Sequence, residues 1–426
     1  MTAGLLLCIL FFLLMVLDIP IALSLGLSSI AVISYFDLMP LSGVSSVFFG
    51  TLEKFPLMAI PFFIYSGFVM EKGNISLKLI SFVNGIIGKV TGGLAYVVIV
   101  VGVLLAGISG SGPADVAALG SVLLPSMTKL KYDKAFCCGL ISVVGSLGIV
   151  VPPSIAFIVY GIVSNTSVTK LFLAGVVPGI LCGIACAIPV YFISKKRGYS
   201  GEERVGVRET VTRFKDAIWG LMAPVLVLGG LYTGVFTATE LSAVLAVYVS
   251  LVSAFIYKNI KPAAFLKILS ESAILSGMVL IIIGSASLFS WILTTQGIAG
   301  RIGNGILAYS SSPTVFLLIT TVVLLIAGCF LETNAILFMF TPIFLPIALK
   351  LGIDPIFFGL LMVVNLAIGQ STPPLGVNLY VCMGLSGLKI EAIAWAALPF
   401  IAAVTCVMLF MIFFPNLTMW FPRLLF

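Results

Sequence analysis

The residues best suited to bind a ligand lie in four polar interruptions of an otherwise apolar chain. Two are short polar segments, at 109–112 and 329–332, and two are Pro-Pro segments, at 148–154 and 369–376. Proline lacks an N–H group and fixes φ, so a Pro-Pro pair within a helix unwinds a turn. Freed backbone groups cannot face lipid. We therefore expect these segments to line a protein cavity or to bind a ligand.

The chemistry of these segments suits an anion together with small cations. Unwound carbonyl groups and the C-terminal ends of half-helices are hard oxygen donors for a cation such as Na⁺, whereas helix N-termini offer N–H groups to a carboxylate. Hydroxyl groups can serve either ligand, and five lie in these segments: Ser109, Ser111, Ser154, Ser371 and Thr372. One isolated kink would be structural, but four related interruptions predict a binding site near the bilayer midplane.

Two acidic and two amide side chains beside the interruptions are further candidates. Asp115 and Glu332 are intramembrane acids, which usually mark a transport pathway or a binding site. Each also lies near a predicted helix terminus, so stabilisation of a helix dipole is the alternative role. Asn334 and Asn378 lie about one turn from an interruption, and the sequence leaves open whether they contact a ligand.

A constant offset of 221 positions relates the two halves of the sequence. Segment 106–125 corresponds to 327–346, and Pro152-Pro153 corresponds to Pro373-Pro374. Each half is predicted to hold five full spans and one re-entrant hairpin. An odd number of spans inserts the two halves in opposite orientations, so we predict an all-α membrane protein with an inverted-topology repeat.

The predicted domains follow from this repeat. The first repeat covers 1–194, with a hairpin at 90–130 and a broken helix at 134–163. A basic loop covers 195–215. The second repeat covers 216–426, with a hairpin at 313–350 and a broken helix at 356–388. Two amphipathic stretches, 76–89 and 297–309, are expected to lie along the membrane interface.

Composition and charge place the chain in a membrane. Hydrophobic residues form 61% and charged residues 9% of the 426 residues, whereas soluble chains carry roughly 25% charged residues. The net charge is +7, and seven of the 22 Lys and Arg residues lie in 195–215. This clustering indicates a cytoplasmic loop and not nucleic-acid binding, and counting spans from it predicts that both termini are periplasmic. Histidine is absent, which removes the usual zinc ligand and catalytic base.

Four motifs carry a resemblance to a known family: GISGSGPADVAALGSVLLP, GIVVPPSIAFIVYG, LETNAILFMFTPIFLP and GQSTPPLGVNLYV. They resemble the large membrane subunit (DctM or SiaM type) of tripartite ATP-independent periplasmic (TRAP) transporters, over essentially the whole chain. The resemblance implies an elevator-type symporter of the ion-transporter superfamily in the bacterial inner membrane. It implies Na⁺ as coupling ion and no other cofactor.

The resemblance also implies partners, substrates and sites. The partners are a small four-helix membrane subunit (DctQ type), expected on a separate chain, and a periplasmic substrate-binding protein (DctP type). The substrates are C4-dicarboxylates, sialic acids or related carboxylates. The first implied Na⁺ site comprises Ser109, Gly148, Val151 and Pro153. The second implied Na⁺ site comprises Gly328, Gly369, Thr372 and Leu375. The predicted substrate contacts are Ser109, Ser111, Asp115, Ser154, Asn334 and Asn378.

Three other functions are weighed against this one. A stand-alone ion-coupled transporter of carboxylates or oxyanions could share the inverted repeat. An intramembrane aspartyl protease would need Asp115 and Glu332 to form a carboxylate dyad, and the sequence has no G-x-G-D motif. A scaffold protein would not need four repeat-related interruptions. We therefore predict a transporter with no catalytic residues.

Overall fold

The computed structural model describes residues 2–425 except 202–205, 261, 299 and 302–311, and these described ranges contain helices but no strand. The helices of the first half are α1 (Ala3–Val16), α2 (Ile21–Tyr35), α3 (Leu41–Leu52), α4 (Ala59–Lys72), α5 (Ile75–Ile87), α6 (Gly93–Ser109), α7 (Gly112–Lys129), α8 (Lys134–Ser146), α9 (Ile155–Ser164) and α10 (Val168–Arg197). The helices of the second half are α11 (Val207–Tyr232), α12 (Ala238–Leu251), α13 (Pro262–Thr295), α14 (Pro313–Gly328), α15 (Thr333–Lys350), α16 (Pro355–Gln370), α17 (Val377–Ser386), α18 (Ile390–Phe413), α19 (Pro415–Thr418) and α20 (Trp420–Leu425).

Among the described residues, six helices are long and apolar enough to cross a membrane. They are α10, α11, α12 with the π-helical turn that follows it, α13, α15 and α18. A seventh span is possible if α3 and α4, which are bent by 62° at their junction, count as one. The predicted spans at the N-terminus form the shorter helices α1 and α2, of 14 and 15 residues. At 1.5 Å per residue each is about 21–23 Å long, less than the ~30 Å of hydrocarbon.

The helices follow the repeat predicted from the sequence. Under the same offset, α7 and α15 end at corresponding positions, and α8 and α16 begin at corresponding positions. The Pro152-Pro153 and Pro373-Pro374 peptide bonds are both cis. The halves differ in one respect, because the bent pair α3–α4 corresponds to the single 34-residue helix α13.

Both predicted hairpins and both predicted helix breaks are present in the structure. α6 and α7 are joined through Gly110 and Ser111, and α14 and α15 are joined through 329–332. The first break separates the 3₁₀ turn Leu147–Ile149 from α9, and the second separates α16 from α17. The Pro-Pro pairs therefore unwind the chain where the sequence predicts it.

The predicted basic loop at 195–215 is shorter in the structure. Lys195, Lys196 and Arg197 form the last turn of α10, where cations interact favourably with the negative end of the helix dipole. α11 begins at Val207, so only 198–206 lies between the helices. The amphipathic stretch at 76–89 forms most of α5, whereas most of the stretch at 297–309 lies outside the described residues.

Close packing of α8 on α18 makes Gly139→Ala a destabilising change. An ideal Cβ at Gly139 would lie 2.6 Å from the carbonyl carbon of Ala396 and 2.7 Å from the nitrogen of Ala397. These are backbone atoms, so the helices must separate, at a cost of about 1–3 kcal/mol. We expect a lower melting temperature in detergent. Gly384→Ala in α17 is the control, because its Cβ would meet no described atom within 4 Å. Equal melting of the two variants would contradict the expectation.

Candidate substrate and cation site

The tip of the first hairpin lies directly against the first helix break. The N–H of Ile155 donates to the carbonyl oxygen of Gly110 at 3.4 Å, and Gly110 adopts φ = +65°, which favours glycine. An ideal Cβ at Gly148 would lie 2.3 Å from Asp115 Oδ2 and 3.1 Å from the carbonyl group of Ser111. Only glycine at position 148 allows the tip to approach the break this closely.

Three predicted residues of the first hairpin tip form one hydrogen-bonded group. The Ser109 hydroxyl accepts from the N–H of Ser111 at 3.2 Å, and the carbonyl oxygen of Ser111 accepts from the N–H of Asp115 at 3.1 Å. Asp115 lies in the first turn of α7 and is only 2% exposed. Its Oδ2 has no hydrogen-bond partner in the described part of the chain. A carboxylate oxygen is therefore buried without a hydrogen-bond partner in this part of the chain.

The first break is enclosed by protein. Gly148, Val151 and Pro153 are buried. Ser154 is also buried, and its hydroxyl donates to the carbonyl oxygen of Ile149 at 2.5 Å and accepts from the N–H of Phe157 at 3.3 Å. Ser154 thus caps α9, and further contact with a substrate would have to use its remaining lone pair.

The second hairpin tip approaches the second break in a similar way. The N–H of Leu375 donates to the carbonyl oxygen of Cys329 at 3.0 Å. Gly328 and Gly369 cross backbone to backbone, since an ideal Cβ at Gly369 would lie 2.9 Å from the Gly328 Cα. The Thr372 hydroxyl donates to the carbonyl oxygen of Ile368 at 2.7 Å, leaving its oxygen able to accept. The four predicted residues of the second cation set therefore lie at one junction.

The two intramembrane acids occupy different environments. Glu332 is the N-cap of α15: Oε2 accepts from the N–H groups of Asn334 and Ala335 at 2.8 and 3.2 Å. Its Oε1 accepts from the Asn334 side chain at 2.8 Å. Glu332 therefore stabilises the N-terminus of α15. Asn334 donates to this cap through its Nδ2. The buried Oδ1 of Asn334 has no hydrogen-bond partner among the described residues. Asp115 has no comparable set of donors in the same ranges.

Gln370 joins the two hairpin tips, although the sequence analysis did not select it. Its Nε2 donates to the Thr333 hydroxyl at 3.0 Å at the start of α15. Its Oε1 lies against the first tip, since an ideal Cβ at Gly112 would be 2.2 Å from that oxygen. The position of Gln370 within the GQSTPP motif is the signal that could have identified it.

Ser142 holds both ends of the second break, and nothing in the sequence marked it. Its carbonyl oxygen accepts from the Ser371 hydroxyl at 2.9 Å and from Asn378 Nδ2 at 3.1 Å. The residues that correspond to this pair in the first half are Val150 and Phe157, whose side chains cannot donate hydrogen bonds. A helix of the first half thus fixes the second break, and no equivalent side-chain contact can form in the other direction.

A narrow cavity lies between the first hairpin tip and helices α4 and α5. Ser109, Ser111 and Asp115 line one side, and Glu71 and Ser76 line the other. Its volume of about 40 Å³ accommodates a few water molecules or a small ion, not an organic acid. The described residues contain no group of three or more His, Cys, Asp or Glu side chains that could hold a metal ion.

Comparison with known proteins finds relatives that match almost the whole chain. Residues 8–417 match the family described as "Tripartite ATP-independent periplasmic transporter, DctM component". The C4-dicarboxylate TRAP transporter large permease protein DctM of Pseudomonas aeruginosa is 41% identical over 400 residues, covering 94% of each chain. The sialic acid TRAP transporter large permease protein SiaM of Vibrio cholerae is 33% identical, covering 95% of each chain.

Two further proteins extend the comparison. The isethionate TRAP transporter permease protein DctMQ of Oleidesulfovibrio alaskensis is 40% identical over 412 residues, and the match covers 96% of this chain but 65% of that longer protein. The crystal structure of the Alcanivorax borkumensis YdaH transporter superposes with a TM-score of 0.65 over 90% of each chain at 14% identity. That likeness concerns the fold alone.

Proposed function

Because this chain belongs to the DctM family of tripartite ATP-independent periplasmic transporters, we propose that it moves an organic acid anion into the cell together with Na⁺ by an elevator movement. It is a multi-pass membrane subunit of a secondary transporter and not an enzyme. The observation that carries the proposal is the approach of each hairpin tip to a helix break, with Ile155 bonded to Gly110 and Leu375 bonded to Cys329. Each junction gathers backbone oxygens that suit Na⁺.

The cations bind at the two junctions in this proposal. The first would use the Ser109 hydroxyl with carbonyl groups of Gly148, Val151 and Pro153. The second would use Gly328, Gly369, Thr372 and Leu375. The hydroxyl and carbonyl oxygens of these residues match the ligands that a hard monovalent cation accepts. Cations bound at these junctions would hold each hairpin tip against its helix break. The substrate site between the two tips would then be fully formed.

The substrate binds between the two tips. Gln370 joins the predicted contacts because it touches both hairpins. The proposed contacts are therefore Ser109, Ser111, Asp115, Ser154, Asn334, Asn378 and Gln370. The N-terminus of α7 has no side-chain cap and offers its N–H groups to an anion, whereas N–H groups at the starts of α9 and α15 already donate to Ser154 and Glu332. The relatives' names identify a C4-dicarboxylate, a sialic acid and isethionate as their substrates. A small organic acid anion is therefore the proposed substrate class.

The hairpins and broken helices form the moving unit of the proposed elevator. Helix α4 and the segment that links it to α3 both touch this unit. Lys54 Nζ donates to the carbonyl oxygen of Ile162 at 3.3 Å, and Gly67 packs beside Ser109. Each net positive charge carried inward gains about 2.3 kcal/mol per 100 mV of membrane potential. Two Na⁺ with a monoanion would thus use the membrane potential directly.

Partners and location follow from the family. We propose a small DctQ-type membrane subunit, a DctP-type binding protein that delivers the substrate, and the bacterial inner membrane as the location. The isethionate relative is named DctMQ, a name that combines DctM and DctQ. It is longer than this chain, since the match covers 96% of this chain but 65% of that protein.

Opposite ends of α11 test the proposed orientation. Gly206 precedes the helix, and Val235 is 65% exposed in the turn after it. In a background without the exposed Cys8 and Cys406, we expect Val235→Cys to react with an impermeant maleimide in intact spheroplasts. Gly206→Cys should react only after lysis, because the basic segment before α11 is cytoplasmic. The reverse pattern would invert the proposed topology.

Uptake by the assembled transporter tests the coupling. The chain, its small subunit and its binding protein are reconstituted in liposomes, and labelled substrate is offered with an inward Na⁺ or K⁺ gradient. We expect accumulation with Na⁺ alone. Abolition of uptake by a protonophore while the Na⁺ gradient persists would contradict Na⁺ coupling. Equal uptake by this chain without its partners would favour the stand-alone transporter.

A further inference from the structure

The two acids of the hairpins differ in how their carboxylate oxygens are satisfied. Both oxygens of Glu332 accept hydrogen bonds, three in all, from the first turn of α15. Asp115 is 2% exposed, and its Oδ2 accepts no hydrogen bond from any described residue. The four ion pairs within the described ranges do not involve Asp115. This unpartnered oxygen lies against Gly148, a residue of the first tip–break junction.

The unpartnered oxygen of the buried Asp115 carboxylate restricts which ligands can bind beside it. Burying a charge without a partner costs several kcal/mol, so an ionised Asp115 carboxylate requires a bound cation or a hydrogen-bond donor. A second carboxylate, on an organic anion, would be repelled at this distance. The carbonyl group of Ser111 is a further oxygen ligand close by, since an ideal Cβ at Gly148 would lie 2.3 Å from Asp115 Oδ2 and 3.1 Å from the Ser111 carbonyl group.

The geometric support for a cation at the first junction is the buried Asp115 oxygen without a partner, which lies against Gly148. The small cavity beside Asp115 lies instead between the hairpin tip and helices α4 and α5, and its lining includes no residue of the first break. We propose that Asp115 is a direct ligand of the cation at the first junction and supplies the negative charge of that site. This inference rests on the Na⁺ coupling proposed above. It assigns Asp115 to the cation and removes it from the substrate contacts.

The second junction has no such charge. The residue that corresponds to Asp115 in the second half is Ile336, and Glu332 is engaged as a helix cap. The second cation would therefore bind only neutral oxygens, from Thr372 and the backbone near Gly369. The two sites are unequal: the first binds its cation more tightly and fills at a lower Na⁺ concentration.

The test compares Asp115→Asn with Glu332→Gln in the purified complex with the small subunit. Na⁺ is titrated against choline at constant ionic strength, and thermal stabilisation and ²²Na⁺ binding are measured without substrate. We expect wild type to show two classes of sites and Asp115→Asn to raise the half-saturating Na⁺ of the tighter class about tenfold or more. Glu332→Gln should leave the tighter class within about twofold.

Several outcomes separate this inference from the proposed function. An unchanged Na⁺ titration in Asp115→Asn overturns the inference, as does loss of substrate binding at saturating Na⁺ with normal Na⁺ affinity. A wild-type complex that ignores Na⁺ overturns the proposed coupling itself. If Asp115→Asn fails to fold, Asp115→Glu keeps the charge but displaces it by one methylene, and the inference predicts a smaller rise in half-saturating Na⁺ with an altered Li⁺ to Na⁺ preference. The same preference as wild type would overturn it.

Discussion

Replacing Gly369 with alanine is expected to abolish Na⁺-coupled uptake by the assembled transporter. The backbone of Gly369 crosses that of Gly328, and an ideal Cβ would lie 2.9 Å from the Gly328 Cα and 3.1 Å from its carbonyl carbon. No side chain can rotate to relieve this contact, because both partners are backbone atoms. The second hairpin tip must therefore move away from the break, at a cost of about 1–3 kcal/mol, and the second cation set is separated.

The measurements for Gly369→Ala are uptake in proteoliposomes and the Na⁺ dependence of melting. We expect loss of uptake to background and a weaker stabilisation by Na⁺. Gly277→Ala is the matched control, since it lies in α13 and its Cβ would meet no described atom within 4 Å. Uptake by Gly369→Ala within about twofold of the control, a difference below about 0.5 kcal/mol, would show that the Gly328–Gly369 crossing is not part of the transport site.

The second large effect is expected from removing the donors that Ser142 holds. Ser371→Ala and Asn378→Leu each take one hydrogen bond from the buried Ser142 carbonyl oxygen, at 2.9 and 3.1 Å. Loss of both donors removes these two hydrogen bonds from the Ser142 carbonyl oxygen, which costs about 1–3 kcal/mol. Both ends of the second break then lose their contact with α8. We expect uptake to fall at least about tenfold in the double variant.

A double-mutant cycle tests whether the two donors act together. They share one acceptor, so their effects on stability and uptake should not add. Ser146→Ala is the control, because the buried Ser146 hydroxyl donates only within its own helix, to the carbonyl oxygen of Val143 at 2.7 Å. Additive effects, or an equal loss in Ser146→Ala, would show that the contact is ordinary packing.

The positions of the hairpins and breaks could be predicted from the sequence because their causes are local. Proline and glycine interrupt a helix wherever they lie, and the constant offset between the halves links Pro152-Pro153 to Pro373-Pro374 without any structure. The exact ends of the helices could not be predicted as well from the sequence. Lys195–Arg197 could be read as a loop by their charge, although helix C-termini stabilise such residues.

The partners of individual polar side chains could not be predicted. Which groups Gln370 and Ser142 contact depends on the rotation of α16 and α8 about their axes, and an apolar helix carries no polar pattern that fixes this rotation. Asp115 and Glu332 are equally near helix starts in the sequence. Only the structure distinguishes a cap with three donors from a carboxylate with a free oxygen.

The hydrogen bond from Ser371 to Ser142 joins residues 229 positions apart. Because a ribosome makes the chain from its N-terminus, α8 is already in the membrane when the second break is synthesised. The later half therefore closes its break on a surface that the earlier half has built, whereas the corresponding side chains of the first break, Val150 and Phe157, form no such bond. The two halves are therefore not equivalent in assembly, because the second half forms its helix break against α8 of the first half.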